Sequence, residues 1–362
     1  MLTPGTSLNL IALLKSAASR SGMDVPAPAI AGLTPAAKAM HVAVAAAGMP
    51  RGIVLYVVPT DRDLEQAIAD VRFFLSALEG LSTAAADGAV LSFPSHEIDP
   101  YRGMAPHFGV VSARARALCG IASGTARVVV ASAAALTPKV SAPERVLNAS
   151  IDLRPGQEIA PSDLAELFID AGFSREDPVD EHGEFAVRGG IVDVFPANAA
   201  HPVRLEFIGD TIESLRTYDA ATQRSQHPID QLTVVPLNDQ LDEQLPATIF
   251  DYLARSRQSR VIVSEPDEVD AQLTKQAEQI ERSYNQTIGA EAEPGEDDDL
   301  EWATEFGDAD TETHDAPASR PRSRRPASRV SDARAPEELF AASDAVTARL
   351  ASGTHLTELG ID

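Results

Sequence analysis

Cysteine is almost absent from this sequence, and basic residues are far outnumbered by acidic ones. The single cysteine, Cys119, excludes an internal disulfide and any metal site built from several cysteines, and fits a reducing compartment. Lys and Arg number 30 against 54 Asp and Glu, a net charge of −24, which disfavours tight nonspecific binding to nucleic acid. No run approaches the ~20 apolar residues that span a membrane, and Leu8–Leu14 is too short for a signal peptide and lacks its cationic lead. We therefore expect a soluble, cytoplasmic protein.

Residues 1–147 alternate between helical and strand-like patterns. Three continuous apolar runs are typical of parallel strands that are buried on both faces, near residues 53–58, 89–93 and 127–130. The helical patterns around them cover residues 34–48, 64–78 and 110–121. We predict a doubly wound α/β domain for this part of the chain.

The pattern changes at residues 148–236. One helical stretch, 162–171, precedes short alternating segments with turn residues between them, at 184–188, 190–195, 202–208 and 211–218. We predict a small α+β domain built from antiparallel hairpins. The α/β pattern resumes over residues 237–287, with a strand at 261–263 and a helix from about Pro266 to Tyr284.

The remaining residues fall into two parts. Residues 288–336 are acidic and then rich in Arg and Pro with few apolar side chains, which predicts a disordered linker. The alternative is that its arginines, at 320–325, contact nucleic acid or polymerase. Residues 337–362 predict a helix and a strand of an unfinished α/β unit.

Residues 182–196 form the most informative window, reading His-Gly-Glu-Phe-Ala-Val-Arg-Gly-Gly-Ile-Val-Asp-Val-Phe-Pro. The pattern predicts two strands joined at Gly189-Gly190, where the missing Cβ atoms allow a positive φ or a bulge. We expect Arg188 to lie at the sheet edge beside an exposed ring of Phe185. An arginine next to an aromatic ring on a rigid edge favours a protein contact.

This window resembles the second domain of bacterial transcription-repair coupling factors, a domain shared with the excinuclease protein UvrB. Phe93-Pro94-x-x-Glu97-x-x-Pro100-Tyr101, followed by Arg114-x-x-x-Leu118, resembles the signature of the first domain of the same family. Arg204-Leu205-Glu206-Phe207 also fits. The resemblance covers residues 30–270 in order and identifies the chain as similar to the amino-terminal region of that family, before its motor domains.

The resemblance implies a function in recruitment. The second domain of the family binds the excinuclease protein UvrA, and residue by residue this contact transfers to Arg188, Phe185 and Arg175. One departure is Ala186, where UvrB carries a further arginine. The alternative for Arg188 is an ion pair with Glu184 or Asp193 across the hairpin. RNA polymerase and DNA would be bound by other domains, and ATP with magnesium by the motor.

Residues 32–39 resemble a dismantled phosphate-binding loop, Gly32-Leu-Thr-Pro-Ala-Ala-Lys-Ala. Such a loop needs a second glycine where Ala37 stands and a metal-binding hydroxyl where Ala39 stands. Pro35 removes one N–H that would cradle phosphate, so Lys38 is a charge without its cradle. We predict a degenerate nucleotide fold that does not bind ATP.

The sequence contains no pattern that we interpret as catalytic. Asp180-Glu181-His182 is similar to a helicase box, but no buried strand leads into it, so a solvated turn is favoured. His96, His107 and His182 are too scattered for a metal site. We therefore predict an interaction module that is not itself an enzyme and needs no cofactor. The alternative from the enzyme class is a truncated, ATP-dependent repair protein similar to UvrB.

Overall fold

A computed structural model of the protein describes residues 10–20, 27–241, 245–292 and 334–358. Its helices are α1 (Leu10–Arg20), α2 (Pro35–Ala47), α3 (Asp61–Glu79), α4 (Thr83–Ala89), α5 (Phe108–Ser123), α6 (Pro143–Asn148), α7 (Pro161–Asp170), α8 (Ile249–Ala254), α9 (Pro266–Ala292), α10 (Pro336–Leu339) and α11 (Ser343–Ala351). Its strands are β1 (Ala29–Ile30), β2 (Ile53–Val58), β3 (Val90–Phe93), β4 (Val128–Ser132), β5 (Ile151–Leu153), β6 (Ser174–Arg175), β7 (Glu184–Arg188), β8 (Ile191–Val194), β9 (Val203–Ile208), β10 (Thr211–Tyr218), β11 (Ser225–Pro228), β12 (Leu232–Val234), β13 (Ser259–Ser264) and β14 (Thr354–Leu356). No helix within these residues is long and apolar enough to cross a membrane.

A parallel sheet with the strand order β1-β14-β13-β2-β4-β3 forms the larger part of the fold. All six residues of β2 are buried, because helices cover both faces of the sheet. Val54, Tyr56 and Val58 pack against α2 and α3, while the alternate residues Leu55 and Val57 pack against α5, α8 and α9. This is the α/β architecture that the continuous apolar runs predict.

A second, antiparallel sheet with the order β11-β10-β9-β8-β7-β6 carries the hairpins, apart from a parallel contact between β6 and β7. Its inner face packs on α7, through buried residues that include Phe168, Phe185 and Leu205. Strands β5 and β12 pair antiparallel at its base, with Leu153 opposite Leu232. The chain therefore enters and leaves this part at one place, and β13 then returns to the parallel sheet beside β2.

The helical and strand structure predicted for residues 337–362 is present in the described part of that segment. Strand β14 lies inside the parallel sheet, between β1 and β13, and Leu356 is fully buried. The one helix predicted for this segment is two helices, α10 and α11, because Phe340 between them makes a β-bridge to Pro138. Strand order across a sheet depends on contacts between distant segments, which a local pattern does not reveal.

The predicted linker over residues 288–336 lies mostly outside the described residues. Helix α9 continues through Ala292, so the first residues assigned to the linker are helical instead. The helix therefore ends eight residues beyond Tyr284, where the apolar pattern of the sequence stops (292 − 284 = 8). The domain boundaries remain predictions.

Candidate interaction surface

The face of the antiparallel sheet opposite α7 is lined mainly by polar side chains, and we call it the outer face. Register places its side chains in two rows across β7, β8, β9 and β10. The first row is Ala186, Asp193, Arg204 and Arg216, and the second is Arg188, Ile191, Glu206 and Ser214. Charged groups of both signs therefore face each other over four neighbouring strands.

Arg188 lies at the end of β7, at the rim of this face. Its Cα partner across the hairpin is Ile191, and Gly189 between them has a φ of 60°, as the double glycine predicts for a two-residue turn. The side chain of Arg188 is 42% exposed. Its Nη2 donates to the Asp193 carboxylate, and its Nη1 lies 3.3 Å from Oδ1 of Asp177. The cross-strand ion pair that the sequence left open is thus present, although it does not bury the guanidinium.

Asp193 is the buried carboxylate that pairs with both Arg188 and Arg204 on the outer face. Its side chain is fully buried, and Arg204 donates to it through both Nε–Oδ1 at 2.7 Å and Nη2–Oδ2 at 2.8 Å. These hydrogen bonds raise the pKa of Arg204 above its ordinary value. The Arg204 guanidinium also lies 5.0 Å from the centre of the Tyr218 ring. The buried Asp193 carboxylate, which also pairs with Arg204, fixes the Nη2 end of the Arg188 guanidinium in one position.

Glu184, the other acid considered for Arg188, is used elsewhere. Its Oε2 accepts hydrogen bonds from the backbone N–H groups of Asp180 and Glu181, at 3.0 and 2.9 Å. Both of these residues are exposed in the loop before β7, as the solvated-turn interpretation predicts, whereas His182 of the same motif is partly buried and packs against Phe195. This loop continues from Glu176 and carries Asp177 to the rim of the outer face.

The prediction that the ring of Phe185 is exposed is wrong. Phe185 is fully buried in the core, where its ring centre lies 5.5 Å from that of Phe168 on α7. Successive side chains of a strand point to opposite faces, so Phe185 and Arg188, three positions apart, cannot share one. The alternation of the sequence already contained this signal. Phe185 therefore supports the sheet from below and is not available for a partner.

Arg175 is exposed, but it does not join Arg188. Strand β6 pairs parallel with β7, and Arg175 is the Cα partner of Phe185. Its side chain therefore belongs to the inner face, while Arg188 belongs to the outer face of the same edge. Of the three residues predicted to form one contact, the structure places only Arg188 on the outer face.

The sequence interpretation missed two arginines of the outer face. Arg204 on β9 anchors Asp193, and Arg216 on β10 is exposed beside it in the same row. Glu206, one row away, accepts a hydrogen bond from the Ser214 hydroxyl at 2.6 Å. The strict alternation of buried and unburied residues along β9 is the signal that could have assigned these side chains to one face.

Lys38 lies on α2, beside the carboxyl ends of β13 and β14. It is buried, and its Nζ contacts the Glu265 carboxylate, Glu358 Oε1 at 3.2 Å and Ser264 Oγ at 3.1 Å. Glu265 also accepts the backbone N–H of Glu358 at 2.8 Å and has a φ of 48°, in the left-handed region that non-glycine residues rarely adopt. The lysine predicted to have lost its cradle is therefore paired with carboxylates of this chain.

The other positions of the degenerate phosphate-binding loop, residues 32–39, serve the local fold of the chain. Gly32 has a φ of 82°, and the Thr34 hydroxyl accepts the N–H of Ala37 at 3.3 Å as the N-cap of α2. Ala39 is buried in the core and offers no oxygen for a metal. Among the described residues, no cluster of three or more His, Cys, Asp or Glu side chains is placed to hold a metal ion.

A buried ion pair links α5 to the segment that follows β12. Arg114 on α5 is fully buried, and its Nε donates to Asp239 at 2.7 Å while Nη1 donates to the Pro94 carbonyl at 2.9 Å. Burial alone would raise the pKa of Asp239, but the charge of Arg114 and a contact with His96 hold it well below its usual range. This group is structural, because its charges are already paired away from solvent.

Comparison with known proteins gives a consistent result. Residues 151–239 match the family described as the UvrB interaction domain. The transcription-repair-coupling factor of Myxococcus xanthus is 35% identical over 198 residues, which cover 53% of this chain and 16% of that protein. That of Mycobacterium bovis is 32% identical over 199 residues, covering 53% of this chain and 15% of the relative. The UvrABC system protein B of Streptococcus uberis is 32% identical over 153 residues, covering 41% of this chain and 23% of that protein.

The outer face thus lies within the stretch, residues 151–239, that matches the family described as the UvrB interaction domain. Over about half its length the chain is related to the transcription-repair-coupling factors, which confirms the resemblance predicted from its motifs. The matched stretch spans only 16% of the Myxococcus xanthus protein.

Proposed function

We propose that the chain is the amino-terminal interaction module of a transcription-repair coupling factor. In this function it binds the excinuclease protein UvrA and recruits it to RNA polymerase stalled at DNA damage, in the cytoplasm. The observation that carries the proposal is Arg188, a half-exposed arginine on a rigid sheet edge within a UvrB interaction domain. Contacts with polymerase and DNA, and ATP-driven translocation, are assigned to regions of such proteins outside the matched stretch.

The chemistry of the outer face supports binding rather than catalysis. Arg188 is oriented by the buried Asp193, so little side-chain entropy is lost when a partner docks on it. Arginine is over-represented among the residues that dominate interfaces, because its planar guanidinium makes several directed hydrogen bonds at once. Arg216, exposed in the row next to that of Arg188, extends the surface across the sheet.

The alternative function, that of an ATP-dependent protein similar to UvrB, is supported by the Streptococcus uberis relative. Lys38 argues against it. A nucleotide-binding lysine must be free to contact phosphate, whereas Nζ of Lys38 is engaged by Glu265 and Glu358. We therefore prefer the coupling-factor function, in which this part of the chain binds no nucleotide.

Titration of purified UvrA with this chain tests the proposal. We expect saturable binding that Arg188→Ala weakens by about 1–3 kcal/mol, because an arginine anchor is lost. Arg62→Ala is the matched control, since Arg62 is exposed on α3, in the parallel-sheet part of the chain. Absence of binding by the unaltered chain would refute the function, and equal weakening by both substitutions would refute the site.

A further inference from the structure

The two acids that contact Arg188 differ in how firmly they are held. Asp193 is fully buried and is hydrogen-bonded twice by Arg204. Asp177 is 54% exposed, and its Oδ1 lies 3.3 Å from Nη1 of Arg188. Separating Asp193 from its arginine partners would leave a buried carboxylate unpaired. Asp177 is exposed, so it can exchange its contact with Arg188 for water.

The guanidinium therefore has one permanent and one replaceable partner. A guanidinium offers five N–H donors in a fixed plane, and the described contacts use its Nη1 and Nη2 groups only. If Asp177 turns away, Nη1 of Arg188 faces solvent while Nη2 stays fixed by Asp193. The position that Asp177 leaves is shaped for one more carboxylate.

We propose that Asp177 is an internal stand-in for a carboxylate of the partner, and that it competes with that partner for Arg188. This inference rests on the proposed function and adds the chemistry of the contact: an Asp or Glu side chain on the docking surface of UvrA. In the free chain Asp177 keeps the guanidinium neutralised at the surface. On docking, the partner's carboxylate takes its place on Nη1.

The loop that carries Asp177 supplies a matched control. Asp180 lies in the same loop and is exposed, but it contacts the surface through its backbone N–H to Glu184. Asp177→Asn and Asp180→Asn change the net charge equally, so long-range charge effects on an acidic partner are the same in both. Only Asp177→Asn removes the competing carboxylate from Arg188.

The first experiment measures the affinity of UvrA for the full chain and these two variants by titration calorimetry. We expect Asp177→Asn to bind two- to fivefold more tightly, about 0.4–1 kcal/mol, since an exposed ion pair is worth no more than this. Asp180→Asn should bind as the unaltered chain does. Unchanged or weaker binding by Asp177→Asn overturns the competition while leaving the proposed function intact. No binding by the unaltered chain overturns both.

The second experiment tests the chemistry of the partner group. A carboxylate predicts that affinity falls in the order Arg188, Arg188→Lys, Arg188→Gln, since lysine keeps the charge but not the planar fork. It also predicts that added salt weakens the binding of the unaltered chain more than that of Arg188→Gln. Equal affinities of the lysine and glutamine variants would overturn a carboxylate partner.

A third measurement examines the free chain. Phenylglyoxal labels accessible guanidinium groups, and mass spectrometry reports the rate at each arginine. We expect Arg188 to be labelled at least twofold faster in Asp177→Asn than in Asp180→Asn, with the rate at Arg62 unchanged. Equal rates at Arg188 in the two variants would show that Asp177 does not cover it and would overturn the inference.

Discussion

Lys38 and Arg188 are both cations that contact two carboxylates of their own chain, but they differ in exposure. The side chain of Lys38 is 3% exposed, and Glu265 and Glu358 approach it from distant parts of the sequence. The side chain of Arg188 is 42% exposed, and only one of its two acids, Asp193, is buried. A ligand can reach Arg188 by displacing one surface side chain. At Lys38, by contrast, Nζ is buried and already engaged by Glu265, Glu358 and Ser264.

The difference shows how similar ion pairs serve different purposes. The buried Lys38 connects α2 to the end of β13 and to Glu358, which lies just beyond β14. Partial exposure leaves the Arg188 guanidinium oriented by Asp193 but open to solvent, as the proposed binding function requires. Loss of a buried pair should therefore reduce stability, and loss of the exposed one should reduce binding.

The most buried cation, Arg114, gives the strongest test of this rule. Arg114→Met should lower the free energy of unfolding by about 3–5 kcal/mol, because Asp239 is left buried without its main partner. Urea unfolding measures the loss, and Arg62→Met, at an exposed helix position, should change stability by less than about 0.5 kcal/mol. A loss for Arg114→Met as small as that of the control would break the link between burial and stability.

His182 extends the comparison to a neutral group facing a cation. Burial, followed by the charge of Arg116, lowers the pKa of His182 to about 4. The pKa of His182 is lower in the folded chain than its unfolded value near 6.5. The stability gained by keeping His182 neutral is therefore fully present above pH 6.5 and is lost as pH falls toward 4. The loss should reach roughly 2–3 kcal/mol.

Unfolding free energies of the unaltered chain and His182→Gln, measured across this pH range, test the expectation. The glutamine variant cannot become charged, so its stability should decline less on acidification. Parallel profiles for the two proteins would mean that His182 is not protonated on unfolding as proposed.

Lys38 gives the smallest expected change. Lys38→Met should lower the free energy of unfolding by about 1–2 kcal/mol, since its hydrogen bonds to charged groups are lost while Glu265 and Glu358 can still reach water. The unaltered chain should show no saturable ATP binding by calorimetry. Micromolar ATP binding that Lys38→Met abolishes would show that the site opens, and would remove the contrast with Arg188.

Local patterns predicted much of the fold. The strand Ile53–Val58 has the predicted bounds, because an unbroken apolar run fits a strand covered on both faces. The turn at Gly189 follows from the conformational freedom of glycine. The place of β14 between β1 and β13 had no local signal, since it depends on pairing with strands far away in the sequence.

The candidate site was predicted only in part. Arg188 was assigned correctly to the edge of the hairpin, but its partner Asp177 comes from the preceding loop, whose path no periodicity describes. The error on Phe185 was avoidable, because strand alternation places it opposite to Arg188. The contacts of Lys38 with Glu265 and Glu358 join residues more than 200 positions apart and could come only from the structure.

The most direct test of the central claim compares the two cations in one binding experiment. UvrA is titrated with the unaltered chain, with Arg188→Ala and with Lys38→Met, each verified as folded by circular dichroism. We predict that Arg188→Ala raises Kd by about 5- to 150-fold and that Lys38→Met changes it by less than about twofold. An unchanged Kd for Arg188→Ala, or an equal rise for Lys38→Met, would contradict the assignment of binding to the outer face.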